Sequence, residues 1–338
     1  MQGFVLTHEG GEGIALDELR RFGVSAENLI FDAPPEKVAE ACYRGQSFTH
    51  AGIFLGWLDC QQEPPAEAKG YLPARFCVRG KGDLDGIVGE KLIALTPGST
   101  VDFKQPEKRF FLFDHEGKVG LGIEPMTFDL AKRDYKVFHH SGSIKGTVAF
   151  CLVMLSGYSP GKLFLDPFTC SGEVCIEAAL LSTRSPHFYR KKDFLFEALG
   201  VNVDLAAFDA LYPGSETRIH GLHKQLAFVK SSQKNAKIAN VHKHVEFGRG
   251  DVEWLDTKFE EDSVDCIVSK VPSLQPKVQN ELFYQAAFIL KKDGLMTLAC
   301  ASGEGLKEAA AKNAFAVADE RFLWQGKEPF TVITFKKA

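Results

Sequence analysis

The sequence predicts an α/β protein whose larger part, residues 146–338, is a doubly wound, mostly parallel sheet preceded by smaller α+β units. Three observations lead there. From Thr147 onward, apolar strand-length runs alternate with helix-length amphipathic runs, the signature of parallel strands joined by crossover helices. Residues 1–60 instead read β-α-β-α-β. A Pro64-Pro65 break then separates them from a second short unit that begins at Ala74.

Taken in order, Gly3 to Thr7 reads as a buried strand, and Ile14, Leu16 and Leu19 mark a helix ending near Gly23. Leu29 to Phe31 is a strand, Pro34-Pro35-Glu36 opens a helix, and Ile53 to Leu55 is a third strand. Gln61 to Gly70 is the linker candidate. Arg75-Phe76-Cys77-Val78-Arg79 alternates basic and apolar side chains, the period of a half-buried strand. Asp85 to Leu95 reads as a helix. Phe110–Phe113 and Lys118–Ile123 pair around the turn Asp114-His115-Glu116-Gly117. Leu130 to Lys136 closes the unit at about residue 137. Beyond it come an apolar helix, a strand over Lys162–Asp166 and a helix over Val174–Leu181. Further strands fit at Arg218–Gly221, Val245–Phe247, Val264–Val268 and Leu295–Ala299, with an antiparallel edge pair at Ala316–Phe322 and Thr331–Phe335.

Composition excludes several classes. The chain has 338 residues, 45% hydrophobic and 25% charged, which suits a globular protein and not a disordered or fibrous one. The apolar run Val148–Leu155 is far short of the roughly 20 residues of a membrane span, and no signal-peptide pattern opens the chain. The eight cysteines form no CxxC pair, so a reduced, cytoplasmic protein is expected. Net charge is −4 but uneven: residues 1–68 carry 4 basic and 11 acidic side chains, residues 69–145 carry 13 and 10. A locally basic middle segment suits a polyanion such as RNA, although an ordinary surface scatters as much.

The chemistry-bearing run is Leu165-Asp166-Pro167-Phe168-Thr169-Cys170-Ser171-Gly172-Glu173, which ends a strand and opens a helix. In open α/β sheets ligands sit beyond the carboxyl ends of strands, and small residues in the first turn let the backbone approach a nucleoside. The run is not GxGxxG, which argues against an NAD enzyme. It resembles the S-adenosylmethionine (SAM) turn Asp-Pro-Phe-Cys-Gly-Ser-Gly of RNA guanine-N2 methyltransferases. The lead-in His140-Ser141-Gly142-Ser143-Ile144 is similar to that group as well. Phe76-Cys77-Val78-Arg79 and Leu130 to Tyr135 resemble the opening and closing segments of a THUMP domain, and Thr7 to Leu19 the ferredoxin-like unit that precedes it.

The resemblance implies a ferredoxin-like unit over 1–60, a THUMP-like unit over 70–137 and a Rossmann-like class I methyltransferase domain over 146–338. It implies SAM as cofactor, held by Asp166, Phe168, Ser171, Gly172, the position of His223, and the Gly250-Asp251-Val252 motif. It implies tRNA or another structured RNA as partner, with methyl transfer to guanine N2, and no membrane. A protein partner is not specified.

Three positions depart from that pattern. Cys170 stands where the family has glycine, with a side chain that could crowd the nucleoside. His223 stands where an acid accepts from both ribose hydroxyls, and imidazole offers one acceptor at most. Ser269-Lys270-Val271-Pro272-Ser273 occupies the place of Asn-Pro-Pro-Tyr, which supplies acceptors for the guanine amino group and a ring for the flipped base. Lys270 has donors only, Ser273 has no ring, and Pro272 alone is retained. These motif positions are the catalytic candidates. They leave open an alternative, an RNA-binding homologue that no longer transfers methyl groups.

For RNA the candidates are Arg75, Arg79, Lys81, Lys132 and Arg133, with Arg190 and Lys191 in the basic, aromatic stretch Ser182–Phe196. That stretch reads somewhat more readily as a solvated helix surface, because such runs are common. His139-His140 and the pair His242, His244 lack acidic or cysteine partners at ligand spacing, so no metal is expected.

Overall fold

A computed structural model describes residues 1–212 and 217–338. The chain forms two compact units that do not follow chain order. Met1–Leu6, Ala15–Leu130 and His187–Phe208 make the first; Thr7–Ile14, Ala131–Pro186 and Asp209–Ala338 make the second.

In chain order the first unit contains β1 (Gln2–Leu6), most of α1 (Glu12–Arg21), β2 (Ile30–Asp32), α2 (Pro35–Arg44), β3 (His50–Trp57), β4 (Arg75–Arg79), α3 (Asp83–Leu95), β5 (Thr100–Val101), β6 (Lys108–His115) and β7 (Lys118–Glu124). All seven strands lie in one sheet of order β2-β1-β3-β7-β6-β4-β5. The two segments expected as separate units are therefore joined by main-chain pairing of β3 with β7 (Ile53 opposite Ile123). Alternation along β6 divides two cores. Phe110 and Leu112 enter the main core, while Phe111 and Phe113 enter a smaller aromatic cluster with Phe4 and Phe54. The expected linker is anchored, because a 3-10 turn over Ala66–Tyr71 buries Ala68 completely.

Residues 187–208 fall within the span assigned from sequence to the C-terminal domain, yet they pack with the first unit. Phe196, Leu199 and Val201 join its core, and Leu195 N–H donates to Pro125 O at 2.9 Å. Conversely, Thr7–Ile14 groups with the second unit, where Trp324 N–H donates to Glu9 O at 3.0 Å.

The second unit holds α4 (Gly146–Leu155), β8 (Leu163–Asp166), α5 (Glu173–Thr183), β9 (Arg218–His223), α7 (Leu226–Ile238), β10 (Val245–Arg249), β11 (Val264–Lys270), α8 (Pro276–Ile289), β12 (Leu290–Cys300), α9 (Glu304–Lys312), β13 (Phe315–Gln325) and β14 (Glu328–Lys337); the short α6 (Leu205–Asp209) that precedes β9 falls to the first unit but for its last residue. Its sheet runs β10-β9-β8-β11-β12-β14-β13, parallel except at β14 and β13. This is the doubly wound sheet predicted, with its antiparallel edge. Both faces of the central strands are buried: Phe164, Cys266 and Val268 pack into one core, Leu163, Leu165 and Ile267 into another. Because β8, β9, β10 and β11 are parallel, Asp166, His223, Arg249 and Lys270 all finish at the same edge.

Candidate active site

That edge is built around the turn after β8. Gly172 adopts φ +86°, open to glycine at no steric cost, and a Cβ there would stand 3.0 Å from the Phe247 ring. Gly221 on β9 is equally confined, since a Cβ would meet the same ring at 2.6 Å. The turn is clamped from α7 by Asn235, which is fully buried. Its Nδ2 donates to Ser171 O and Phe138 O, both at 2.8 Å, and its Oδ1 accepts from Phe138 N–H at 3.0 Å. Glu173 accepts from Ser143 Oγ and from Ser171 N–H (3.1 Å), and Lys136 lies 3.4 Å away. The lead-in 138–143 and the turn thus form one hydrogen-bonded piece.

Asp166 has a different part from the one read in the sequence. It is 3% exposed, and its Oδ1 accepts from Ser269 Oγ at 2.6 Å and from Phe168 N–H at 3.1 Å. Burial pushes its carboxyl up to about 7. The carboxylate ties the ends of β8 and β11 together instead of facing a ligand. The same bond uses the proton of the Ser269 hydroxyl, which is itself fully buried.

Beside the turn lies a cavity of about 340 Å³, lined by Pro167, Phe168, His223, Lys224, Gly250, Asp251, Val252 and the loop Pro272–Gln275 with Val278. The size falls in the ~300–1,000 Å³ range of small-molecule sites. Asp251 Oδ1 accepts Val252 N–H at 2.7 Å, which leaves its other oxygen for a donor such as an adenine amino group. Cys170 is half-buried and does not line this cavity. Its Sγ lies 3.8 Å from Ser141 O, and burial pushes the thiol up to about 11.

His223 does line it. Gln225 N–H donates to Nδ1 at 3.0 Å, so Nε2 carries the proton of the neutral ring. Burial holds the imidazole below its ordinary value. The one acceptor nitrogen that the sequence allowed is already spent, leaving a single donor for a ribose oxygen. The ring stacks on Phe228, and so does His140 (centroids 4.1 and 4.2 Å).

The profile of the RMKL-like methyltransferase domain matches residues 133–326, more than half of the chain. The chain belongs to the RMKL-like methyltransferase domain family. A tRNA (guanine(6)-N2)-methyltransferase of Methanocaldococcus jannaschii is 29% identical over 215 residues, covering 59% of this chain and 56% of that protein. The ribosomal RNA large subunit methyltransferase K/L of Vibrio parahaemolyticus is 25% identical over 186 residues, covering 52% and 26%. The chain thus spans about half or less of the length of these curated relatives. In fold it matches SMU.472, solved with SAH, at a TM-score of 0.76 over 100% of this chain and 98% of that one, at 19% identity. The cofactor of the family is SAM. Phe168, His223, Asp251 and Val252, four of the residues expected from the sequence to hold it, all line the one cavity.

In the segment after β11, read from sequence as the substrate motif, Pro272 and Ser273 are exposed and Lys270 is half-buried. Lys270 Nζ lies 3.5 Å from where a Cβ on Gly142 would stand. Among the RNA candidates, Arg133 is displaced from its expected role. It is 4% exposed, and its Nε donates to Glu177 Oε1 at 2.8 Å, beside Tyr135 Oη on the same oxygen. Arg75 and Arg79 are exposed, near Glu107 (3.1 Å) and over the Phe103 ring (5.9 Å). Lys81 pairs with Asp114, and Lys132 is exposed. Arg190 and Lys191 lie on a 3-10 turn over Phe188–Asp193 and cover the rings of Phe128 and Phe188 at 5.3 and 4.4 Å. Among the described residues, no group of three or more His, Cys, Asp or Glu is arranged to hold a metal ion. Sequence reasoning missed Phe228 and the clasp made by Asn235. Only Asn235 carried a signal, as a landmark of the helix after β9.

Proposed function

We propose that this chain is a SAM-dependent RNA methyltransferase acting on guanine N2 of tRNA. The observation that carries the reading is the cavity at the ends of β8, β9 and β10, bounded on one side by the loop 272–275, which includes the last two residues of the expected substrate motif. The tRNA relative at 29% identity supports the substrate class and the target atom. The first unit, read from sequence as ferredoxin-like and THUMP-like, would dock the RNA through Arg75, Arg79, Lys81, Arg190 and Lys191, which grip phosphates and carry no sequence information; Lys132 is a further candidate on the second unit. No side chain of the motif supplies the amide acceptor and ring of the pattern: Ser269 is buried and bonded to Asp166, Lys270 only donates, and Ser273 has a hydroxyl but no ring to stack. That observation favours a second reading, an RNA-binding homologue that retains the cofactor cleft without transferring methyl groups.

A calorimetric titration with SAM, followed by transfer of labelled methyl groups to tRNA, tests both. Micromolar binding with incorporation at guanosine supports the enzyme. Binding of tRNA without incorporation supports the second reading. A folded protein that binds neither SAM nor tRNA overturns both.

A further inference from the structure

Pro272, Ser273 and Leu274 separate two cavities. The second, about 280 Å³, lies among the ends of β11 and β12 and the starts of α8 and α9, lined by Lys270, Ser273, Gln279, Ser302, Gly305 and Phe330 together with apolar neighbours. No carboxylate lines it. Among the described residues the half-buried ammonium of Lys270 makes no hydrogen bond or ion pair, and neither hydroxyl, Ser273 or Ser302, makes a hydrogen bond. Gln279 is engaged, its Nε2 donating to Leu274 O at 3.3 Å. No side chain caps the first turn of α9, and Glu304, the acid of that turn, is exposed.

With no carboxylate in the lining, the half-buried ammonium of Lys270 leaves this cavity positive, a charge that a bound anion offsets. Lys270 gives the lining a positive charge that no carboxylate offsets, so a cationic group is badly matched to it, whereas a phosphoryl group brings negative charge and acceptors that the ammonium and the two hydroxyls can meet as donors. We propose that this cavity binds the phosphoryl group of a nucleotide, with Lys270 as counter-ion and Ser273 and Ser302 as hydroxyl donors. The inference rests on the reading of 269–273 as the substrate-side loop. It means that the loop grips a nucleotide by its phosphate where relatives of the pattern above hold a base by its amino group.

Calorimetric titrations of the full chain with inorganic phosphate, GMP and guanosine at constant ionic strength test it. Phosphate and GMP are expected to bind, with guanosine at least roughly tenfold weaker than GMP, the worth of one charge-assisted contact. Lys270→Met should weaken GMP by a similar factor while Lys270→Arg keeps most of the affinity. Ser302→Asp, at an exposed position that tolerates a carboxylate, should abolish phosphate binding should Lys270→Met fail to fold. Displacement of GMP by tRNA assigns the site to an RNA phosphate, and retention of GMP assigns it to a free nucleotide. Guanosine binding as tightly as GMP, or GMP binding unchanged in both Lys270→Met and Ser302→Asp, overturns the proposal. The SAM titration is separate. Its failure with phosphate binding intact would remove the enzyme reading and leave this site standing.

Discussion

The imidazole of His223 lies 13° from parallel to the ring of Phe228, with centroids 4.1 Å apart, at the position where relatives of the SAM-turn pattern carry an acid. Its Nδ1 is occupied by Gln225 N–H, so the side chain presents one donor to the cavity and no acceptor. His223→Asp should therefore restore acceptors for ribose hydroxyls and tighten SAM at least tenfold, given about 1.5–3 kcal/mol for each charged hydrogen bond. The lost stacking should cost about 0.5–1.5 kcal/mol of stability. Calorimetry and urea unfolding read the two effects apart. Unchanged SAM affinity would mean that the ribose does not lie against residue 223.

The substrate loop can be tested by restoring what it lacks. Lys270→Asn with Ser273→Tyr supplies an acceptor and a ring, and methyl transfer to tRNA should rise from its wild-type level. The loss of one phosphate contact and the gain of one stacking surface, worth about 1–3 kcal/mol per base, nearly offset each other. Affinity for tRNA should stay within about tenfold. A far larger loss, read by filter binding, would show that the loop does more for RNA docking than one contact.

Much of the fold was legible because burial is periodic. The central strands of the second sheet are buried on both faces and read as continuous apolar runs, and the hairpin Lys108–Glu124 was found from its alternation, although its turn is only Glu116-Gly117, with Asp114 and His115 paired in the strand. The grouping of residues into units was less legible. Whether β3 pairs with β7, or whether 187–208 leaves its neighbours in sequence to pack near Met126, depends on tertiary partners that no local pattern encodes. In the site, the motif Asp166 to Glu173 gave the place. It did not give the roles, because a buried aspartate bonded to Ser269 and one facing a ligand have the same letter in the sequence.

Arg133 illustrates the same point on the RNA side. It was a surface cation by sequence and is a buried partner of Glu177 in the fold. Glu177→Gln should destabilise the protein by about 3–5 kcal/mol, the cost of stranding one member of a buried pair. Affinity for tRNA, measured where the variant is folded, should not change. A selective loss of RNA binding without loss of stability would return Arg133 to the RNA surface.

The RNA candidates that reach solvent, Arg79 exposed and Lys81, Arg190 and Lys191 half-buried, make an electrostatic prediction. Arg79→Ala, Lys81→Ala, Arg190→Ala and Lys191→Ala should each weaken tRNA about equally for all sequences, and each should flatten the dependence of log K on log salt by up to about 1. Wild-type slopes in all four variants would place the RNA footprint elsewhere.

Asp166 gives the protein a pH dependence of known sign. Its folded-state value is raised from 3.8 to about 7, so the folded chain holds a proton there that the unfolded chain releases above about pH 4. The stability it contributes is complete below that value and is lost as pH rises through 7. The loss is on the order of 4 kcal/mol, at about 1.4 kcal/mol per pKa unit. Asp166→Asn keeps a carbonyl oxygen for the Ser269 hydroxyl and cannot ionise. Urea unfolding at pH 5 and pH 8 should therefore find the variant gaining on the wild type as pH rises. Equal pH dependence in the two proteins would mean that Asp166 is ionised throughout, and its bond to Ser269 would then be a charged one at every pH of interest.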